Sequence, residues 1–207
     1  MDLTLWLAFV AATVALLAIP GPTVLLVLSY AIGQGKRVAV ATALGVALGD
    51  FLAMTASLLG LGALVLASAT LFTVLKWVGA AYLVYLGIRL WRSAGSAELA
   101  MHKTTSQRGV FWHACLVTAL NPKGIAFFIA FVPQFIDPLS PLLPQFGIMT
   151  LTFVGLAALN ALVYALVAAR MRDVITRASV IAWLTRLGGG TLVAMGLATA
   201  ALRRSAA

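Results

Sequence analysis

One aspartate stands alone in apolar text. "LGVALGDFLAMTA" (44–56) carries Asp50, and the neighbouring acids along the chain are Asp2 and Glu98. An acid at membrane depth costs a few kcal/mol or more and marks a route for an ion or a substrate. Asp50 is suited to bind a substrate ammonium group, to carry a coupled proton, or to do both. A buried structural hydrogen bond is the competing role.

Two other apolar stretches are interrupted by proline: "LLAIPGPTVLLVLS" (16–29) and "TALNPKGIAFFIAF" (118–131). Proline has no N–H and clashes with the carbonyl four residues back. Pro20 and Pro22 should therefore free the carbonyls of Leu16 and Ala18, and Pro122 that of Thr118. In hydrocarbon, free polar backbone is tolerated only against protein or a water-filled cavity, so the segments 19–23 and 120–124 are expected to face the interior. Pro22 suits the first turn of a resumed helix. The amides from Thr23 to Leu25 would then turn partial positive charge toward the break at Gly21, a place for a carboxylate. An ordinary proline kink is the competing explanation.

Lys123 follows Pro122 and could hold a carboxylate, pair with Asp50, or snorkel toward an interface. Asn121 can hydrogen-bond a polar ligand or cap the resumed helix. Asn160, in "VGLAALNALVYAL" (154–166), has the geometry of Asp50 without its charge, and Tyr164 lies one turn on along the same face. Gly45 and Gly49, four apart, read as sites of close helix approach.

Other chemistry is poorly served. His102 and His113 have no ligating companions, so no metal site is expected. No nucleophile–base pair points to a hydrolase, and no phosphate-cradling loop is present. The expectation is a protein that is not an enzyme and takes no cofactor. The single cysteine, Cys115, lies in an apolar run and reads as packing.

The elements that must hold these residues are apolar. Of 207 residues, 63% are hydrophobic and only 9% charged, where a soluble domain has about a quarter charged. Six helices are expected, at about 3–31, 38–66, 70–91, 110–135, 145–169 and 181–202. Most match the ~20 residues a helix needs to cross ~30 Å of hydrocarbon. The lack of a basic stretch before the first apolar run favours a retained span over a cleaved signal. Lys36 and Arg37, then Arg89, Arg92, Lys103 and Arg108, then Arg170, Arg172, Arg177 and Arg186 mark the joints after spans 1, 3 and 5. Those joints are placed in the cytoplasm by the positive-inside rule, and both termini outside. Arg203 and Arg204 run against that orientation. The net charge of +9 therefore reflects loop lysine and arginine, and nucleic acid is not an expected partner. Trp6, Trp77, Trp91, Trp112 and Trp183 fall near span ends, as an interfacial belt requires.

The chain also resembles itself. "LGVALGDFLAMTA" (44–56) aligns with 154–166, pairing Gly45 with Gly155 and Asp50 with Asn160, an offset of 110. "VGAAYLVYLG" (78–87) aligns with "LGGGTLVAMG" (187–196), pairing Gly79 with Gly188 and Gly87 with Gly196, an offset of 109. Pro20 falls on Pro122 at an offset of 102. Two halves of three spans, 1–92 and 110–207, joined by a polar linker at 93–109, must then enter the membrane in opposite senses. Chance likeness between apolar helices is the rival explanation.

In "AIPGP" (18–22), "GVALGD" (45–50), "YLVYLGIRLWR" (82–92), "NPKGIAFF" (121–128) and "VPQFI" (132–136), in that order, the chain resembles the LysE/RhtB family of bacterial amino-acid exporters. That resemblance implies an all-α membrane protein with six helices in an inverted three-plus-three repeat. It further implies export of amino acids or related small metabolites from the cytoplasm across the inner membrane, driven by the proton gradient. By position, Pro20, Gly21, Pro22, Asp50, Asn121, Pro122 and Lys123 would be the motif residues. Thr23 and Asn160 join them from the reading above. The partners expected are a small zwitterionic substrate, protons and lipid, and glycine-bearing faces on spans 2, 3 and 6 leave a homodimer open. A small-cation carrier and a membrane scaffold without transport of its own are the alternatives.

Overall fold

The computed structural model describes residues 1–67, 69–95, 106–137, 140–170 and 178–201, and every regular element among them is helical. Much of the linker, with His102 and Lys103, lies outside the described residues, as do Arg172, Arg177, Arg203 and Arg204.

Helix α1 (Leu3–Ala18) opens on Asp2, whose carboxylate accepts the Thr4 N–H at 3.2 Å. It stops where Ile19 turns extended (φ −79°, ψ 120°), because the ring of Pro20 crowds the helical conformation of the residue before it. Gly21, ahead of Pro22, is extended for the same reason (φ −130°, ψ −171°), and α2 (Pro22–Gln34) begins on that proline. Further on, α5 (Gln107–Ala119) is capped by the Ser106 hydroxyl. Asn121 is extended before Pro122 (φ −71°, ψ 111°), and α6 (Pro122–Ala130) starts there. The axis bends by 44° between α5 and the run Pro122–Phe135.

The remaining helices run without a proline break at their centre: α3 (Ala39–Ala67), α4 (Ala69–Arg92), α7 (Leu142–Arg170) and α8 (Ala178–Ala201). A helix as long as α3 or α7, at 29 residues, rises about 44 Å. Among the described residues, three helical runs are long and apolar enough to cross a bilayer: Pro22–Gly60, Leu142–Arg170 and Ser179–Ala201. The bent pair α5–α6 makes a fourth if it is one span. Within Pro22–Gly60 the chain turns at Gly35, whose φ of 69° suits a residue without a Cβ. Alone, α1 is apolar but only 16 residues long.

The molecule turns its large apolar residues outward. Leu120, Leu143 and Leu151 are each more than 70% exposed, and Val40, Leu59, Val78 and Leu187 are also exposed. So broad an apolar surface belongs against lipid. Trp77, Trp91, Trp112 and Trp183 are about half exposed, whereas Trp6 donates its indole N–H to the Thr152 hydroxyl at 3.1 Å.

Inside, α4 packs along α8, and α3 packs along α5 and α7. Glycine sets these approaches. A Cβ on Gly45 would strike the Phe111 carbonyl oxygen, and one on Gly49 would lie 2.5 Å from the Cys115 carbonyl oxygen. Between α4 and α8 the same holds for Gly87, Gly189 and Gly196. These five glycines are taken up by helix contacts within the chain, whereas a Cβ on Gly60 of α3 would meet nothing within 4 Å. Phe127, Phe128, Phe131 and Phe153 form an edge-and-stack cluster between α6 and α7, and Phe9 of α1 meets Phe135 at 5.6 Å. Ahead of α7, buried Gln145 fastens the incoming loop by donating to the carbonyls of Asp137, Ser140 and Pro141 while accepting the Asp137 N–H.

Candidate functional site

The two prolines of α1–α2 leave a row of carbonyls at the end of α1, and the second half of the chain supplies their donors. Lys123, buried on the first turn of α6, donates from Nζ to Leu16 O at 3.1 Å and to Ile19 O at 2.9 Å. From α7, Asn160 Nδ2 donates to Leu17 O at 3.1 Å and the Tyr164 hydroxyl to Ala18 O at 2.9 Å. All four carbonyls from Leu16 to Ile19 are thereby satisfied, as buried backbone demands. The stem of Lys123 crosses Gly21 so closely that a Cβ there would lie 3.2 Å from its Cε.

The second break is organised by Asn121. Its Oδ1 accepts the Lys123 N–H at 3.1 Å, capping α6, while its Nδ2 donates to Thr23 Oγ1 at 3.0 Å. Thr23 on the first turn of α2 also shares a hydroxyl contact of 3.3 Å with Thr118 on α5. The chain of Thr118, Thr23 and Asn121 thus binds one interruption to the other. Among the described residues Gly21 caps α2 without a side chain, so the first amides of α2, at Thr23 and Val24, are left for whatever occupies the space in front of them.

That space is a cavity of about 30 Å³, lined by Leu16 and Leu17 of α1, Thr23 and Val24 of α2, Asp50 of α3, Asn121 and Lys123 around the second break, and Asn160 and Tyr164 of α7, with apolar residues between them. It has room for about two waters and is too small for even the smallest amino acid. Asp50 is 7% exposed and, among the described residues, neither hydrogen-bonds nor lies within ion-pair distance of Lys123. Its carboxylate therefore lines the cavity without a direct hydrogen-bond partner, within electrostatic reach of Lys123. Lys123 has spent two of its three donors on the end of α1, which leaves one for the cavity.

Of the residues expected from the sequence, Thr23, Asp50, Asn121, Lys123 and Asn160 come together around this cavity. Pro20, Gly21, Pro22 and Pro122 do not line it. Pro20 and Gly21 are buried beside it, while Pro22 and Pro122 are exposed, and all four act on backbone shape. Thr118 was legible only as a freed carbonyl, yet its hydroxyl is what reaches Thr23. Tyr164 gains a partner, Ala18 O, that only the three-dimensional arrangement reveals.

Residues 5–202 match the family model of LysE type translocators. The chain is 33% identical over 199 residues to an uncharacterized membrane protein of Vibrio cholerae serotype O1, a match covering 95% of this chain and 97% of that one. It is 36% identical over 167 residues to the homoserine/homoserine lactone efflux protein of Salmonella typhimurium, covering 80% and 81% of the two chains. To the leucine efflux protein of Salmonella choleraesuis it is 33% identical over 141 residues, covering 67% and 66%. No solved structure matches. With a family model matched from residue 5 to residue 202 and relatives aligned over most of its length, the chain belongs to the LysE type translocator family.

Proposed function

We propose that this protein exports amino acids or closely related small zwitterions from the cytoplasm across the inner membrane, using the proton gradient. The observation that carries this reading is the pairing of opposite demands around one cavity: the carboxylate of Asp50 and the unfilled amides at the start of α2. A zwitterion answers both. Its ammonium meets Asp50, and its carboxylate meets the Thr23 and Val24 amides, aided by Asn121 and the remaining Lys123 donor. Pro20, Gly21, Pro22 and Pro122 hold that backbone open. A proton and the ammonium compete for the same carboxylate of Asp50, so protonation from outside releases the substrate there. Amino-acid export also accords with the relatives named for efflux of homoserine, its lactone and leucine.

Six spans arranged as an inverted repeat belong to the same reading, with α1–α2 and α5–α6 as broken spans, halves at 1–92 and 110–207, the linker cytoplasmic and the termini outside. The contacts between α4 and α8 support it. A Cβ on Gly87 would meet Gly189 O at 2.5 Å and Val193, and a Cβ on Gly196 would meet Ala80 O at 2.7 Å and Val84. Adding the repeat offset of 109 turns Ala80 and Val84 into Gly189 and Val193, and Gly87 into Gly196. One contact is the other with the halves exchanged, the property of a two-fold axis.

The test is purified protein in sealed liposomes loaded with a panel of amino acids, with a proton gradient imposed. Efflux of amino acids, lost when the amino group is blocked, is expected. Silence across the panel would favour a scaffold, and flux of metal salts alone would favour a cation carrier.

A further inference from the structure

The last carbonyls of α1 are not closed alike. Those of Leu17 and Ala18 take neutral donors, the Asn160 amide and the Tyr164 hydroxyl. Those of Leu16 and Ile19, three residues apart, converge on a single charge, the Lys123 ammonium, at 3.1 Å and 2.9 Å. Satisfying buried backbone does not require a charge, as the second break shows. There α5 ends on backbone amides, with Leu120 N–H on Leu116 O and Asn121 N–H on Thr118 O. A charge at membrane depth is costly and marks a functional position.

The surroundings of this ammonium suit a cation. Carbonyls at a helix C-terminus carry the negative end of its dipole, and Asp50, which lines the same cavity, attracts Lys123. The lysine stem reaches the place over Gly21, where a Cβ would lie 3.3 Å from Nζ and 3.4 Å from Cδ. Lys123 is buried, so the charge is held out of water. An ammonium and a potassium ion are close in size, and both bind carbonyl oxygens. In transporters with broken helices, freed carbonyls at a half-helix C-terminus coordinate the coupling cation.

We infer that the end of α1 is a binding position for a monovalent cation, which the chain fills permanently with the ammonium of Lys123. The position rests on these contacts alone, whereas its consequence for coupling rests on the export reading. With the position taken, no sodium or potassium ion couples to transport there, and the proton is the ion left to do so.

The test removes the built-in cation and asks whether a metal ion replaces it. In detergent, Lys123→Ala is expected to melt higher in KCl than in choline chloride of equal concentration, with a rise that saturates. The parent and Lys123→Met, whose terminal methyl stands beside the same oxygens, are expected to melt alike in the two salts. Lys123→Ala that is no more stable, and no better recovered as folded protein, in KCl than in choline chloride would overturn the inference. A potassium-dependent rise in the parent would overturn it equally. Neither measurement needs a substrate, so the flux panel and the melting series fail independently. In liposomes, an imposed sodium gradient is expected to drive no efflux by the parent. Sodium-driven efflux would overturn the inference and leave amino-acid export standing.

Discussion

Lys123 shows how a single residue ties the site to the fold. Its ammonium closes the end of α1 by bonds to Leu16 O and Ile19 O, so replacing it with methionine leaves Ile19 O without a donor and Leu16 O with only the Ile19 N–H. A buried acceptor stripped of its partner costs about 1–3 kcal/mol. Lys123→Met is expected to lower stability in detergent unfolding by that order, whereas Tyr164→Phe, which removes one bond to Ala18 O, should cost about 0.6 kcal/mol, the average for such bonds in membranes. Equal losses in the two variants would contradict this ranking. The sequence made Lys123 visible as a charge beside a proline but left three destinations open, because which carbonyl a long side chain reaches depends on the placement of a helix roughly a hundred residues away. Asp50 was more legible: an acid with no other charged residue in its own helix must find its purpose elsewhere.

At the scale of elements, backbone chemistry was legible and packing was not. Proline at the first position of α2 and of α6, with each preceding residue extended, follows from local sterics, and the helix ends fall within a few residues of the expected spans. Glycine spacing marked Gly45 and Gly49 as sites of close approach, yet nothing local said that α5 would be the partner. Gly49→Leu drives a side chain into Cys115 O and the last turn of α5, and overpacking of this kind costs about 1–3 kcal/mol. The expected outcome is reduced thermal stability for Gly49→Leu and little change for Gly147→Leu, which faces open space on α7. Comparable melting of the two would show that α3 and α5 do not pack as closely as described. The Gln145 loop fastening was not legible, since a glutamine at a helix start has many uses and only the fold selects one.

For the molecule as a whole, the proposed transport rests on the proposed repeat. Its signal in the sequence was a few aligned glycines, one aspartate over an asparagine and one proline over another, thin in text dominated by alanine and leucine. The exchange of Gly87–Gly189 for Gly196–Ala80 across the α4–α8 contact strengthens it, because apolar likeness alone gives no reason for contacts to match in pairs. The repeat also frames an asymmetry with chemical meaning. Asn160 is held to Leu17 O, while Asp50, at the matching position, carries a carboxyl group that lines the cavity. The most direct measurement is gradient-driven amino-acid efflux from proteoliposomes containing the parent or the Asp50→Asn protein, with insertion verified for both. The account predicts efflux by the parent and none by Asp50→Asn. Efflux at the parental rate from the asparagine variant would contradict it.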